Sequence, residues 1–352
     1  MPTIGNTQLK LLEKLCNACA VSGDEGEVRK IVLKELKAGA YDAKVDALGN
    51  VLVTRTGTTK KRLKVMASAH MDEVGFMLVA DDGEGLFRFE TVGGIDVRQL
   101  PGKAVLVGRD HQPGVIGARA IHLTTAEERK QKIPLDALRI DLGPGDTKVK
   151  LGDRATFATR FQRNGPVVIA KALDNRLGVV NLLELVRNPP SNIDLLAAFT
   201  VQEEIGGRGA KVAAYAFDPQ LALVLDATPA NDMPSWDGEE NASYNTRLGG
   251  GPAIYIADSE TLYDPRLIRH FSDTARARDI KFQFRQPAGG GTDAGAIHRV
   301  RAGIPCIAVS VPHRYSHTAA SIALVEDWKR TFALLHAALG SLPSALLSSA
   351  RG

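Results

Sequence analysis

Apolar and polar positions follow two different rhythms along this chain. In residues 8–19 and 28–36 the apolar positions recur at helical spacing, which predicts two amphipathic helices near the start. Short apolar runs then alternate with helical patterns, and they predict buried strands at residues 63–69, 167–170, 195–200, 221–225 and 304–311. This alternation is typical of an α/β domain, in which helices cover a central sheet.

The pattern changes between about residue 74 and residue 163. Short alternating runs are separated there by Gly, Pro and Asp, which predicts a small all-β barrel or sandwich. The α/β pattern resumes after Pro166. We therefore expect one α/β domain built from residues 1–73 and 164–352, interrupted by an inserted β domain at residues 74–163.

Composition excludes several classes of protein. A net charge of +4 over 352 residues is small, and no segment combines dense Lys and Arg with aromatics, so we expect no nucleic-acid partner. The chain shows no apolar run of membrane-spanning length and no secretory pattern at its start, which predicts a cytoplasmic protein without membrane attachment. Its three cysteines cannot all pair, as fits a reducing compartment. Cys16 and Cys19 form a C-x-x-C on a predicted helix, but a redox motif would need a preceding strand, so we expect thiols that face the core.

Five side chains with metal-binding chemistry share one kind of position, at or just past the carboxyl end of a predicted strand. They are His70, Asp174, Glu204, Asp226 and His317. The carboxyl ends of strands in an open α/β sheet meet at one edge, so these distant residues are expected to converge. Singly, each has a simpler interpretation, such as a polar side chain that meets solvent or, for Asp174, a helix cap. The placement of all five at one edge of the predicted sheet favours a metal-binding site.

Two imidazoles with three carboxylates suit a pair of divalent cations, and zinc, cobalt and manganese all accept such ligands. One carboxylate would bridge the two ions. Asp72 lies two residues after His70 on the same face of the strand, where it can orient the imidazole. Glu203 and Glu204 leave their strand in opposite directions, so one can bind metal while Glu203 stays free to accept a proton.

Several motifs resemble those of the tetrahedral aminopeptidase family, which includes glutamyl and deblocking aminopeptidases and members labelled endoglucanases. The similarity extends over nearly the whole chain, and the motifs are AHMDEVGF at 69–76, LDNR at 173–176, QEEIG at 202–206, RGA at 208–210 and GTDA at 291–294. The resemblance implies a zinc-exopeptidase-like α/β/α domain interrupted by a small barrel-like β domain. It also implies removal of N-terminal residues from peptides with two divalent ions per subunit, zinc or cobalt first and manganese as an alternative.

The resemblance implies a role for each candidate residue. His70 and Asp226 would hold the first ion, and Glu204 and His317 the second, with Asp174 between the two. The remaining roles are a general base, a residue that steers His70, and a loop that lines the substrate pocket: Glu203; Asp72; and Gly291, Thr292 and Asp293. The inserted domain would support dimers that build a tetrahedral dodecamer, so we expect peptide substrates and a homo-oligomer.

One segment departs from the family pattern. The final histidine of the family is usually followed by Ser-Pro and, two residues further on, a glutamate, whereas His317 is followed here by Thr318, Ala319, Ala320 and Ser321. The departure leaves open how the turn after His317 is supported.

Alternatives to an aminopeptidase remain at this point. The same ligands would serve a dinuclear deacylase or carboxypeptidase. Because the turn after His317 departs from the family pattern, a non-catalytic metal-binding protein is a further alternative. A glycoside hydrolase needs two carboxylates rather than five metal ligands, and an aromatic content of 5% is low for a cellulose-binding surface. Acidic and apolar N-terminal residues are both candidate substrates, with Arg247, Arg285 and Arg314 as available cations.

Overall fold

The computed structural model describes residues 2–145, 147–234, 246–285 and 289–351. In chain order, the strands are β1 (Ala43–Val45), β2 (Val51–Arg55), β3 (Leu63–His70), β4 (Gly75–Gly83), β5 (Leu86–Val92), β6 (Ala104–Val107), β7 (Gln112–Gly117), β8 (Arg139–Asp141), β9 (Arg154–Phe157), β10 (Gln162–Asn164), β11 (Val167–Ala170), β12 (Ile193–Thr200), β13 (Leu221–Pro229), β14 (Ala253–Tyr255), β15 (Gln283–Arg285), β16 (Cys306–Arg314) and β17 (Ser321–Leu324). The α-helices are α1 (Asn6–Asn17), α2 (Gly26–Ala38), α3 (Leu173–Arg187), α4 (Arg208–Phe217), α5 (Pro265–Ala277), α6 (Asp293–Ile297) and α7 (Val325–Gly340). Within the described ranges, no helix combines the length and the apolar character that a bilayer crossing requires.

A mixed sheet forms the centre of the larger domain. Its strands lie in the order β1-β2-β12-β3-β13-β16-β17-β11-β10, with β14 and β15 added beside β16. The central strands β12, β3, β13 and β16 run parallel, whereas the strands at either end of this order pair antiparallel. Because Thr200 of β12 pairs with His70 of β3, the carboxyl ends of these two strands lie side by side.

Helices cover both faces of this sheet because successive strand residues point to opposite sides. Along β3, Val65, Ala67 and Ala69 pack in one buried cluster with residues of α1, α2, α3 and α7. Met66, between them, packs on the opposite face with residues of α4 and α6. Both faces of the central strands are therefore apolar, as is typical of a parallel sheet between helix layers. The predicted α/β/α fold class is confirmed.

Strands β4 to β9 close into a separate antiparallel barrel in the order β4-β5-β8-β7-β6-β9. Apolar side chains fill its interior, where Phe76 meets Phe89 and Phe157 edge to face at centroid distances of 5.2 and 5.3 Å. The barrel is inserted between β3 and β10 of the large sheet, and of the two forms that the sequence pattern predicts, a barrel or a sandwich, the inserted segment adopts the barrel. The boundaries at residues 74 and 163 stay a prediction.

Two local expectations differ from the structure. Asp226 lies inside β13 rather than past its end, because that strand continues to Pro229 alongside β16. Cys19 lies beyond the end of α1, whereas Cys16 is buried on that helix. The two thiols of the C-x-x-C therefore have different surroundings.

Candidate metal centre

The carboxyl edge of the parallel strands gathers all five candidate ligands. His70 ends β3, Asp226 lies in the neighbouring strand β13, Glu204 follows β12, and His317 follows β16. Asp174 lies in the first turn of α3, where its backbone angles of φ −79° and ψ 108° are not helical. The parallel pairing of the strands explains why residues so distant in sequence meet at this edge.

His70, Asp174 and Asp226 form the first donor group. The Nε2 atom of His70 lies 3.2 Å from Oδ1 of Asp174 and 3.5 Å from Oδ1 of Asp226. A tetrahedral ion that binds its ligands at about 2.0–2.2 Å separates the ligand atoms by roughly 3.3–3.5 Å. The two distances from His70 are therefore those between neighbouring ligands of one ion.

Asp174, Glu204 and His317 form the second donor group. The Nε2 atom of His317 lies 3.2 Å from Oε2 of Glu204 and 3.8 Å from Oδ2 of Asp174. Asp174 thus turns one carboxylate oxygen toward the first group and the other toward the second. This is the geometry of a carboxylate that can bridge two cations.

The orientation of the two imidazoles also fits cations at this edge. Nδ1 of His317 lies 2.8 Å from the carbonyl oxygen of Gly94, and Nδ1 of His70 lies 3.2 Å from that of Asp72. A carbonyl oxygen only accepts, so each Nδ1 donates its proton and each ring turns its Nε2 toward the carboxylates, where a neutral imidazole offers a lone pair to a cation. Such lone pairs repel one another unless a proton or a cation lies between them. The donors therefore fit two divalent ions.

Burial and mutual proximity shift the pKa values at this edge. Burial raises the pKa of Glu204 to about 8 and that of Asp226 to about 6, although His317 and His70 oppose the effect. For His70, burial lowers the pKa, but the carboxylates of Asp174 and Asp226 outweigh it and hold the pKa well above its ordinary value. For Asp174, burial is outweighed by the His70 imidazole, which lowers the pKa. The edge therefore holds more carboxyl groups than its two imidazoles can pair with.

Glu203 lies beside the first donor group. Its Oε2 is 4.0 Å from Nε2 of His70, and its side chain is 14% exposed. Burial, followed by the charges of Asp226 and Glu204, raises the pKa of Glu203 well above its ordinary value, although His70 opposes this. A carboxylate with a raised pKa suits proton transfer near neutral pH. Glu203 also lies within reach of a shared ion with His70 and Glu204, so its free role stays a prediction.

Asp72 holds the two-glutamate segment in place. Its carboxylate accepts hydrogen bonds from the backbone N–H groups of Glu203 at 3.0 Å and Glu204 at 3.1 Å, and from the Ser22 hydroxyl at 2.6 Å. Oδ1 of Asp72 also lies 3.5 Å from Nδ1 of His70. The Asp72 carboxylate therefore contacts both the end of β3 and the segment after β12. The contact with the two glutamates could not be inferred from residue spacing. Its steering of His70 stays a prediction.

A buried ionic cluster behind the site was missed by sequence reasoning. Glu73 is 3% exposed and accepts hydrogen bonds from Nζ of Lys171 at 2.7 Å, from the Arg176 guanidinium at 3.1 Å and from the Thr156 hydroxyl at 2.9 Å. Thr156 belongs to the barrel, whereas Lys171 and Arg176 lie on either side of Asp174. The cluster therefore ties the barrel to the segment that carries Asp174.

The barrel also positions His317. Nε2 of Gln99 donates to the carbonyl oxygen of His317 at 3.0 Å. The turn after His317 is closed by its own side chains, because the hydroxyls of Thr318 and Ser321 both donate to the carbonyl oxygen of Tyr315, at 2.8 and 3.0 Å. Local hydroxyl groups thus support the turn that departs from the family pattern.

Sequence and structural similarity identify the family. Residues 49–334 match the sequence model described as M42 glutamyl aminopeptidase. The chain belongs to this family. It is 31% identical over 343 residues to the glutamyl aminopeptidase of Lactococcus lactis, with 92% of this chain and 93% of that protein covered. An aminopeptidase from the archaeon Desulfurococcus kamchatkensis superposes with a TM-score of 0.91 at 30% identity, with 98% of each chain covered. The TET1 peptidase of Pyrococcus horikoshii, which can assemble into a tetrahedron or a large octahedral shell, superposes with a TM-score of 0.82 at 33% identity, covering 95% of this chain and 100% of that one.

A cavity of about 510 Å³ opens over the candidate ligands of this M42 chain. Gly291 and Thr292 form part of its wall, and their role in substrate binding stays a prediction. Asp293 is fully buried behind them, and its Oδ2 accepts a hydrogen bond from the Thr200 hydroxyl at 2.7 Å. Burial raises the pKa of Asp293 to about 7. The contacts of Asp293 are therefore with the strand end that leads to the two glutamates.

Of the three arginines considered as substrate cations, Arg285 is the one that lines this cavity within the described part of the chain. It is 3% exposed, its guanidinium lies 4.6 Å from the centroid of the Tyr255 ring, and it donates to the carbonyl oxygen of Gly289 at 2.8 Å. Its Nε has no hydrogen-bond partner among the described residues. Arg314 instead pairs with Asp232 at 2.6 Å.

Proposed function

We propose that this M42 chain is a metalloaminopeptidase that uses two divalent ions to remove the first residue of a peptide. The observation that carries the proposal is the pair of imidazole Nε2 atoms facing three carboxylates, with the two oxygens of Asp174 turned to different groups. Membership of an aminopeptidase family supports the reaction class.

In this proposal His70 and Asp226 hold one ion, Glu204 and His317 hold the other, and Asp174 binds both. Zinc or cobalt suits these nitrogen and oxygen ligands, with manganese as an alternative. When bound, two such ions lower the pKa of a water molecule and polarise the scissile carbonyl group.

Glu203 is the proposed general base. Its carboxylate lines the cavity beside the ligands, where it accepts a proton from the attacking water. Glu203 then donates this proton to the nitrogen of the breaking peptide bond, so that the product leaves as a neutral amine and the carboxylate is restored. Asp72 keeps Glu203 beside the first donor group through its hydrogen bond to the backbone N–H.

Arg285 is the proposed determinant of substrate preference. Arg285 lines the cavity, and a guanidinium that is largely removed from water favours an anionic partner. The three ligand carboxylates and Glu203 would be balanced by two divalent ions, which leaves Arg285 as a dominant charge of the remaining wall. Two other carboxylates lie on the wall, and an arginine offsets the charge of each: Glu260 is about half exposed and lies 3.7 Å from Arg299, and Asp96 pairs with Arg98. We therefore expect a preference for peptides that begin with Glu or Asp.

The proposed assembly is a homo-oligomer built from dimers, up to a tetrahedral dodecamer. The assembly of the similar TET1 peptidase supports this proposal. Apolar side chains stand exposed on the segment around the barrel, with Ile121 69%, Leu123 63% and Ile133 43% exposed, as is typical of an interface. Light scattering should give a mass close to twelve times the 37.7 kDa subunit, and a monomer would contradict the proposal.

The reaction is tested with metal-stripped protein and a panel of aminoacyl-anilides, before and after addition of zinc, cobalt or manganese. We expect turnover to return with metal and to be absent on N-acetylated anilides, which a deacylase would still accept. A carboxypeptidase would shorten free peptides from the other end, and an ordinary glycoside hydrolase would keep its activity in EDTA. Silence on the whole panel, with metal shown to be bound, would refute the aminopeptidase proposal.

The role of Arg285 is tested by Arg285→Met, with Arg314→Met as the matched control outside the cavity wall. Loss of a charge-assisted hydrogen bond of about 1.5–3 kcal/mol should lower the ratio of Glu-anilide to Leu-anilide turnover roughly 10- to 100-fold. An unchanged ratio in Arg285→Met, or an equal fall in the control, would remove Arg285 from this role.

A further inference from the structure

A second group of metal-binding side chains lies where the barrel meets the α/β domain. Cys19 follows α1, Glu27 lies in the first turn of α2, and His111 precedes β7 of the barrel. A sulfur, a carboxylate oxygen and an imidazole nitrogen from these three residues all lie within 4.8 Å of one another. None of the three belongs to the motifs that identify the family.

Glu27 connects the other two members of this group. Its Oε2 accepts a hydrogen bond from the backbone N–H of Cys19 at 3.0 Å, and its Oε1 lies 2.5 Å from Nε2 of His111. His111 has a φ of 52° and donates its backbone N–H to the carbonyl oxygen of Gly108, which closes the turn that presents the ring. The side chains of His111 and Glu27 are 34% and 37% exposed, so solvent has access to the group.

We propose that Cys19, Glu27 and His111 bind a zinc ion separate from the ions of the proposed active site. Thiolate, carboxylate and imidazole are all zinc ligands, and a water molecule completes the tetrahedron. The thiolate favours zinc over manganese, magnesium or calcium, which prefer oxygen. Ligand atoms around zinc stand roughly 3.3–3.6 Å apart, so the contact between Glu27 and His111 opens by about 1 Å as the ion enters.

Charge balance supports a divalent ion at this site. One thiolate and one carboxylate neutralise a dication, and the imidazole adds no charge. The charges that act on the Cys19 thiol come from two cations, Lys171 and Arg160, and two carboxylates, Glu73 and Glu27. Burial raises the pKa of this thiol to about 11 in the metal-free chain, so zinc displaces its proton on binding.

The neighbouring cleft explains why the thiolate is required. Cys19 and Glu27 line a cleft of about 350 Å³ through which an ion can enter. Four basic side chains also line it and outnumber the other carboxylate of its wall, Asp24; they are Arg29, Lys30, Arg109 and Arg154. These cations repel a dication that is only partly neutralised, so one carboxylate and one imidazole are insufficient. A variant without the thiol should therefore lose the ion.

Zinc at this position would join the two domains. Cys19 and Glu27 belong to the α/β domain, whereas His111 belongs to the barrel that also holds His317 through Gln99. The ion is therefore expected to raise the thermal midpoint of the whole chain without contacting the cavity over the proposed active site.

Cobalt is the probe that distinguishes this site from the proposed active site. A cobalt–thiolate bond gives a near-ultraviolet charge-transfer band, and the ligands at the strand edge contain no sulfur. Metal-stripped full-length protein is titrated with cobalt while absorption is recorded, and bound cobalt per chain is counted after gel filtration. We expect the band in wild type and one more cobalt per chain than in Cys19→Ser, which should lack the band.

Two further variants separate ligation from folding. Cys16→Ala changes the neighbouring thiol, which is buried on α1 outside the group, and should keep both the band and the extra cobalt. His111→Asn tolerates the same turn and should raise the cobalt dissociation constant of this site at least tenfold. The proposal would be overturned if the band persisted in Cys19→Ser, or if wild type showed neither the band nor the extra ion. Glu27 and His111 would then form only an ion pair between the two domains. This readout does not depend on peptidase activity, so it stands or fails separately from the proposed function.

Discussion

Replacement of Glu73 by glutamine is expected to destabilise the folded chain by about 3–5 kcal/mol, the usual effect of breaking a buried ion pair at one partner. Glu73, Lys171 and Arg176 are 3%, 2% and 0% exposed. The carboxylate contacts both cations, at 2.7 and 3.1 Å, and also accepts the backbone N–H of Ala20 at 3.0 Å. Glutamine keeps the shape of the side chain but leaves two buried cations without a counter-charge.

The effect should depend on pH in a defined direction. Burial raises the pKa of Glu73, but Lys171 and Arg176 outweigh it and hold the pKa below its ordinary value of 4.5. The folded chain therefore keeps this carboxylate ionised where the unfolded chain begins to take up a proton. The stabilisation is fully present above about pH 4.5 and is lost as the pH falls through the lower pKa of the folded state. The difference between wild type and Glu73→Gln should shrink in acid.

Urea unfolding followed by circular dichroism, with a chelator present, measures this difference without a contribution from bound metal. The matched control is Glu127→Gln, which breaks an ion pair with Lys130 whose side chains are 77% and 73% exposed, and it should change the free energy of unfolding little. Adding Lys171→Met to Glu73→Gln should recover part of the loss, because it removes one of the stranded cations. A loss below about 1 kcal/mol at neutral pH, or one no larger than in the control, would refute the reasoning.

Three further predictions concern the proposed active site. Glu203→Gln should keep both ions, as counted by elemental analysis, and lower kcat at least about 100-fold, because the proton acceptor is lost; full activity would exclude the role. His317→Ala should retain one ion fewer than wild type. Gln99→Ala removes only a hydrogen bond to the His317 carbonyl oxygen and should weaken metal binding roughly tenfold. Equal effects of the two variants would contradict the assignment of His317 as a ligand. Burial raises the pKa of Glu204 to about 8 in the metal-free chain, so metal binding should release protons and the metal affinity should rise from pH 6 to pH 8. Calorimetry in buffers of different ionisation enthalpy measures this proton release. A metal affinity that does not depend on pH would contradict the prediction.

Local patterns predicted the elements because their causes are local. The apolar run at residues 63–69 corresponds to β3, Leu63–His70, and the run at 195–200 corresponds to β12, Ile193–Thr200. Parallel strands end at a common edge, so the approach of His70 and Glu204 could be expected from topology alone. Asp226 was predicted to lie at the end of its strand, whereas β13 continues to Pro229. The length of β13 depends on its pairing with β16, and the apolar run at 221–225 carries no information about that pairing.

Contacts between distant elements could not be predicted in this way. Nothing in the motif LDNR indicates that the two oxygens of Asp174 face different histidines, since this depends on how α3 meets the sheet edge. The docking of the barrel brings Thr156 to Glu73 and Gly94 to His317, although each pair is far apart in sequence.

Sequence alone thus accounts for the elements, the α/β class and the chemical identity of the ligands, because periodicity and residue type are properties of single segments. The tertiary structure alone decides which way each imidazole turns, which carboxylate faces both donor groups, and which charges are buried together. The physical reason is that the pKa of His70 or the neutralisation of Glu73 depends on distances of a few ångströms between segments. Those distances exist only once both domains have folded and packed against each other.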